Sequence, residues 1–102
     1  MSAHLNEDAL AQRIRDCIFE LLGDRGHGRS IGLSEAAQSM GLRIGQHWHD
    51  LMRPVRAVAA ELADSGALEG LQSESVVDIR EARGPVRVRL RSLPGQRSAV
   101  RG

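Results

Sequence analysis

The side chains best able to do chemistry in this chain are its guanidinium groups, because the sequence contains 14 arginines and no lysine. One guanidinium can bind a phosphate or a carboxylate through two hydrogen bonds at once. Residues 1–78 hold seven arginines against twelve acidic residues, a net charge of −5, whereas residues 79–102 hold seven arginines and one glutamate, a net charge of +6. The overall charge of +1 therefore conceals an acidic body and a basic C-terminal quarter.

Within that quarter, valine or leucine alternates with arginine from Val86 to Arg91. This period of two predicts a strand with Val86, Val88 and Leu90 on the core and its arginines on the other face. The outward arginines, Arg87, Arg89 and Arg91, would form a row with a spacing of about 6–7 Å, preceded by Arg83. Such a row can follow a phosphate backbone, but charges on an edge strand also prevent aggregation, and both interpretations stay open.

A second basic group lies at the start of the third predicted helix. At helical spacing, His49, Arg53 and Ala60 fall opposite the apolar stripe of this helix, and Arg56 falls at its shoulder. Because recognition helices insert their N-terminal residues into the major groove, Arg53 or Arg56 could bind a guanine edge or a phosphate. The alternative is a solvated face on which Arg56 pairs with a nearby carboxylate.

The other reactive side chains do not form a recognisable catalytic or metal site. Cys17 falls in the apolar stripe of the first helix, and it has no Cys-x-x-Cys partner or spaced histidine pair. No serine stands in a nucleophile-elbow motif, and the glycines between Gly23 and Gly28 lack the ending of a phosphate-binding loop. We therefore expect no enzymatic activity, no metal and no cofactor.

These side chains are positioned by three predicted helices and a small sheet. The first helix has Asn6 as its N-cap and ends at Gly23; the second has Ser34 as its N-cap and ends at Gly41. The third starts at about Asp50, is interrupted near Arg53 by Pro54, and ends at Gly66. Predicted strands cover residues 30–33, 68–72, 76–79 and 86–91. This order predicts an α+β winged helix in residues 1–91, followed by a flexible tail in residues 92–102.

Four short segments resemble an uncharacterised family of small bacterial winged-helix domains. They are Ser34-Glu35-Ala36-Ala37, Trp48-x-x-Leu51-Met52-x-Pro54-Val55-Arg56, Leu62-Ala63-x-x-Gly66 and Gly84-Pro85-Val86-Arg87. The resemblance covers most of residues 8–91. It implies the winged-helix fold, but it implies no activity, because the family is described only as a domain of unknown function.

Two functions remain as hypotheses. The first is a duplex-DNA-binding protein, in the manner of a transcriptional regulator, with its contacts from His49, Arg53, Arg56, Arg83, Arg87 and Arg89. The second is a non-catalytic protein-interaction module, for example a homodimer, with an apolar patch on the first helix or around Met40, Leu42 and Ile44. One continuous basic face would favour DNA, and arginines that point in unrelated directions would favour the interaction module. Because the chain has one cysteine, no apolar signal core and no membrane-length apolar run, we expect a cytoplasmic protein that does not enter a membrane.

Overall fold

The computed structural model describes residues 7–26 and 28–91. The predicted N-cap Asn6 and the predicted tail 92–102 lie outside the described residues. The elements in chain order are α1 (Glu7–Arg25), β1 (Ser30–Gly32), α2 (Leu33–Ile44), a 3-10 helix (Trp48–Leu51), α3 (Met52–Asp64), β2 (Leu68–Gln72), β3 (Ser75–Val77) and β4 (Arg87–Leu90).

The first helix buries the stripe that its periodicity predicts. Ile14, Cys17, Ile18 and Leu22 are all buried in the core. The predicted end at Gly23 is wrong, because α1 continues for two more residues to Arg25. The chain leaves the helix at the next glycine, Gly26, which has a positive φ of 114° and donates its N–H to the carbonyl of Leu22 at 3.1 Å.

The second helix begins and ends at different residues from those predicted. Its N-cap is Gly32 rather than Ser34, and the Glu35 carboxylate accepts the Gly32 N–H at 2.8 Å. The helix passes through Gly41, the predicted stop, and ends at Gly45, which adopts a left-handed conformation with φ 71°. Gly41 therefore does not end the helix; the absence of a side chain at this position instead allows the backbone of Gln46 to approach.

The third helix confirms the predicted core face and corrects the predicted kink. All five residues of its apolar stripe are buried: Leu51, Val55, Val58, Ala59 and Leu62. The break lies before Arg53, where the 3-10 helix ends at Leu51 and α3 begins at Met52. Pro54 therefore falls in the first turn of α3, where a backbone N–H has no partner within the helix. Ala60, predicted to face outward, is buried.

The strands form one antiparallel sheet in the order β1-β4-β2-β3. Val86 and Val88 are buried as predicted, but Leu90 is 40% exposed at the end of β4. The strand predicted to reach Ile79 stops at Val77, and Ile79 is buried from the turn that follows, against Gly70. The three helices, all of which end before residue 65, thus pack against a sheet whose strands, apart from β1, follow residue 67.

The resulting fold is α+β, with the element order and sheet of a winged helix, as the sequence predicts. We refer to residues 73–86, which connect β2 with β4, as the wing. It begins with Ser73 and Glu74, whose positive φ values of 49° and 68° match the left-handed turn that joins tightly paired antiparallel strands. It then includes β3 and a turn at residues 79–81.

Candidate binding surfaces

The N-terminal end of α3 presents one exposed arginine. Arg53 is exposed, and within the described residues it has no hydrogen-bond or ion-pair partner. His49 precedes it on the 3-10 helix, where its ring stacks on Trp48 with centroids 3.9 Å apart and on His47 at 5.2 Å. The remaining exposed positions of the α3 face are Ala57, Glu61 and Asp64, so this face turns acidic towards its C-terminal end.

Arg56, one turn further along α3, points to the wing rather than to solvent. Its Nη1 donates to the carbonyls of Ile79 at 2.7 Å and Ala82 at 3.0 Å, and its Nη2 donates to that of Gly84 at 3.2 Å. The sequence suggested either a nucleic-acid contact or a carboxylate partner for this residue. Its partners are instead three backbone carbonyls, which the guanidinium fork holds against α3.

The wing contains one further free arginine. Arg83 is exposed, and its side chain has no partner among the described residues. It lies between Ala82 and Gly84, both of which are bound by Arg56, and Arg53 precedes Arg56 by one helical turn. The Arg56 contacts thus bring the segments that carry Arg53 and Arg83 to the same part of the molecule.

Two members of the predicted arginine row, Arg87 and Arg89, bind groups of the same chain, whereas Arg91 lies just after β4, is exposed, and has no side-chain partner among the described residues. Arg87 donates from Nε to the Ser30 hydroxyl at 2.8 Å and from Nη2 to the Ser30 carbonyl at 2.9 Å. The same Nη2 is 3.7 Å from the Glu35 carboxylate. Arg89 donates from Nε to the Glu69 carboxylate at 2.7 Å. Glu69 therefore neutralises Arg89, whereas Arg87 shares the single carboxylate of Glu35 with Arg25, so its hydrogen bonds are engaged within the chain but its charge is only partly compensated.

At the β1 edge of the sheet, the carboxylate of Glu35 contacts two guanidinium groups, those of Arg25 and Arg87. Partial burial alone would raise the pKa of this carboxyl, but the hydrogen bond from the Gly32 N–H and the neighbouring guanidinium groups of Arg25 and Arg87 lower it below its ordinary value. The carboxylate is thus held ionised where α2 starts, at the helix end that favours negative charge.

Together, α3 and the wing do not form a basic face. Two arginines and two acidic residues balance within α3, and the wing carries two arginines against three acidic residues, so their combined net charge is −1. One of the wing arginines, Arg80, is already paired with Asp64 of α3 at 2.8 Å. A duplex approaching this side would meet Arg53 and Arg83 beside Glu61, Glu74 and Glu81.

The most prominent apolar feature lies elsewhere, at the C-terminal end of α2. Leu42 is 88% exposed, the largest exposure of any large apolar side chain among the described residues. It borders a groove of about 410 Å³, mainly apolar, that we call the α2 groove; the other lining residues are Gln38, Gly41, Gln46, His47 and Trp48. Of the patch that the sequence suggested, only Leu42 is fully exposed, because Met40 is buried and Ile44 is half-buried.

Gly41 shapes this groove through a close approach of the backbone. A Cβ at position 41 would lie 2.6 Å from the carbonyl oxygen of Gln46 and 3.5 Å from the Cα of Trp48. The chain that leaves α2 therefore folds back over the helix, with the Gln46 N–H bonded to the Gly41 carbonyl at 3.0 Å. Leu42 was predicted from the sequence but the groove was not, because a glycine that permits close packing has the same sequence signal as one that ends a helix.

The other candidate groups give no further site in the described part of the chain. Cys17 is buried, with its Sγ 4.0 Å from the carbonyl of Ala36. Residues 7–26 and 28–91 contain no cluster of three or more histidine, cysteine or acidic side chains placed to hold a metal ion. Among the described helices, none is both long and apolar enough to cross a membrane.

Comparison with known families gives a match over most of the chain. The model of the family described as "Protein of unknown function (DUF3253)" matches residues 11–91, so this chain belongs to that family. No curated protein matches the chain. The match begins within α1 and extends through β4, so it includes all lining residues of the α2 groove and the whole wing.

Proposed function

We propose that this member of an uncharacterised family is a non-catalytic protein-interaction module whose docking face is the α2 groove. The observation that carries the proposal is the nearly complete exposure of Leu42 beside an apolar groove that contains Trp48. A lone exposed leucine is ordinary on a protein surface, but one that rims an apolar groove is typical of a binding surface. Tryptophan is also among the residues most enriched at the positions that dominate binding energy.

The arginines support this choice over a nucleic-acid function. Of the five arginines in the DNA hypothesis, Arg56, Arg87 and Arg89 donate their hydrogen bonds to groups of the same chain. Within this set of five, Arg53 and Arg83 have guanidinium groups that are unpaired within the described residues. The lone buried cysteine Cys17 supports a reducing, cytoplasmic compartment as part of the same proposal.

Site-specific photo-crosslinking tests the docking face. A benzophenone amino acid replaces Gln46, which lines the groove, or Ala57, an exposed residue of α3 that serves as the control. We expect a discrete adduct in the host cell from position 46 and none from position 57, and we expect Leu42→Ser to abolish the adduct. No adduct from position 46, or equal adducts from both positions, would overturn the proposal.

A second candidate, weaker and of a different class, is duplex-DNA binding in the manner of a transcriptional regulator. It is supported by Arg53 and Arg83, whose guanidinium groups are unpaired within the described residues and whose segments are joined by the Arg56 contacts, with His49 on the turn before Arg53. Such a surface would neutralise about two phosphates, so the logarithm of the binding constant would fall with that of the salt concentration with a slope of about −2.

Fluorescence anisotropy with a mixed-sequence duplex tests this candidate. We expect Arg53→Ala/Arg83→Ala to remove the salt dependence, while Arg87→Ala/Arg89→Ala, which alters arginines already paired within the chain, serves as the matched control. Absence of salt-dependent binding by the wild-type chain excludes the candidate. A larger loss in the control variant than in the test variant would show that the wrong arginines have been assigned.

A further inference from the structure

We infer that the partner of the α2 groove is a second copy of this chain. The inference rests on the proposed docking function and names its occupant. In the inferred homodimer, Leu42 of each copy enters the α2 groove of the other, and the two α2 helices meet across a twofold axis.

A projecting side chain, Leu42, and a depression, the α2 groove, lie on the same face of the molecule. Leu42 projects 88% exposed from α2 and at the same time forms one wall of the groove of about 410 Å³. An interface with a twofold axis must be self-complementary, because the same surface patch serves on both subunits. A leucine and an apolar groove side by side on one helix meet that condition. A single twofold rotation can place Leu42 of each copy in the groove of the other copy.

The charge of the groove lining is also compatible with a second copy of the chain. The residues that line the groove include no acidic or arginine side chain. The nearest charged residue on α2, Arg43, is already paired with Glu20 of α1 at 2.7 Å. A twofold axis places equal charges opposite each other, so a groove lined by carboxylates or guanidinium groups would repel its own copy. The one titratable side chain in this lining is His47, whose Nδ1 accepts the N–H of His49.

The polar groups on the rim of the groove are amides, which also suit a second copy of the chain. Gln38 and Gln46 are exposed at the groove, and each carries an amide with both a donor and an acceptor. An amide can therefore pair with the identical amide of a second copy. A rim made of carboxylates or guanidinium groups would instead require a partner of opposite charge.

Sedimentation equilibrium on the purified full chain tests the inference. The wild-type protein is compared with Leu42→Ser and with Val76→Ser, which removes a 63% exposed apolar side chain from β3 at the edge of the sheet. We expect a wild-type dimer with a dissociation constant on the order of micromolar. We expect Leu42→Ser to raise this constant by at least about 100-fold, because two leucines are lost per dimer and each contributes about a factor of ten or more. The Val76→Ser control should stay within about threefold of the wild type.

Trp48 provides a second readout on the same samples, because it is the only tryptophan and it lines the groove. Its emission should shift to shorter wavelength as the wild-type chain dimerises and should not depend on concentration in Leu42→Ser. A wild-type chain that stays monomeric at about 1 mM, or a dimer that Leu42→Ser leaves intact, overturns the inference. If a monomeric chain still gives the Leu42-dependent adduct with another protein, only the choice of occupant is wrong; if position 46 gives no adduct at all, the docking function fails as well.

Discussion

At the scale of single residues, Arg56 stabilises the wing because its guanidinium supplies hydrogen bonds to three carbonyls of one loop. We expect Arg56→Ala to lower the free energy of unfolding by about 1–3 kcal/mol, since partly buried acceptors lose a charged donor. Arg56→Lys should recover only part of the loss, because an ammonium group lacks the planar fork. Urea unfolding measures both changes.

Arg53 is the matched control for this prediction, since it lies one turn earlier on the same helix and has no partner among the described residues. Its replacement by alanine should change the free energy of unfolding by no more than about 0.5 kcal/mol. Equal effects at positions 53 and 56 would mean that the wing does not depend on the Arg56 contacts.

Glu35 gives a prediction on pH. Its pKa is lower in the folded chain than its ordinary value, so its stabilising contribution is complete above the ordinary pKa and disappears as the pH falls through the folded value. We expect Glu35→Gln to lower the free energy of unfolding at pH 7 by at most about 1 kcal/mol, because the carboxylate and its Arg25 partner are each a third or more exposed. The difference between wild type and variant should shrink as urea unfolding is repeated at pH values from about 7 down to about 3. A difference that stays constant over this range would contradict the charge-based origin of the effect.

At the scale of elements, two helical glycines predict opposite results for the same substitution. Gly23 of α1 has no atom within 4 Å of the position that a Cβ would occupy, so Gly23→Ala should raise the free energy of unfolding by about 0.5–1 kcal/mol through helix propensity. Gly41→Ala should lower it by about 1–3 kcal/mol, since its Cβ would lie 2.6 Å from the Gln46 carbonyl oxygen. Thermal unfolding of both variants makes the comparison. A stabilised Gly41→Ala variant would show that the chain after α2 does not pack as described.

The same glycines explain how far the elements could be predicted from the sequence. The periodic stripes of α1 and α3 and the alternation in β4 were predicted correctly, because each is encoded by residues a few positions apart. The helix ends at Gly23 and Gly41 were predicted wrongly, because the propensity of glycine is overridden where tertiary packing favours the helix. Pro54 was correctly associated with a break, but the break lies at the junction of Leu51 and Met52, where the first turn accommodates the proline.

The candidate site was less predictable because its decisive contacts join distant parts of the chain. Arg56 binds carbonyls 23 to 28 residues away, and Arg87 binds Ser30 across 57 residues. Sequence spacing showed that these arginines lie outside the apolar stripes. It could not show which groups of the chain would accept their hydrogen bonds, because those groups are distant in sequence. Leu42, by contrast, is an apolar residue outside the buried stripe of α2, which is a local signal, and it was part of the predicted apolar patch.

At the scale of the whole molecule, the fold pairs part of the basic C-terminal quarter with acidic residues from earlier in the chain. Arg80, Arg87 and Arg89 contact carboxylates from α3, α2 and β2 respectively, although Arg87 shares its carboxylate with Arg25. Among the described residues of this quarter, the side chains of Arg83 and Arg91 have no partner. The most prominent feature that remains without a partner in the described residues is the apolar α2 groove. The central claim is therefore that this groove, and not the part of α3 and the wing that carries Arg53 and Arg83, is the binding surface.

Backbone amide chemical shifts of the full chain, followed by NMR over a concentration series and then in a titration with duplex DNA, test that claim most directly. We expect the concentration-dependent shifts to cluster at residues 38–48, with the duplex causing at most small shifts around Arg53 and Arg83 that vanish with added salt. Shifts that are absent from residues 38–48 at every concentration, together with large duplex-induced shifts along α3 and β4, would contradict the account.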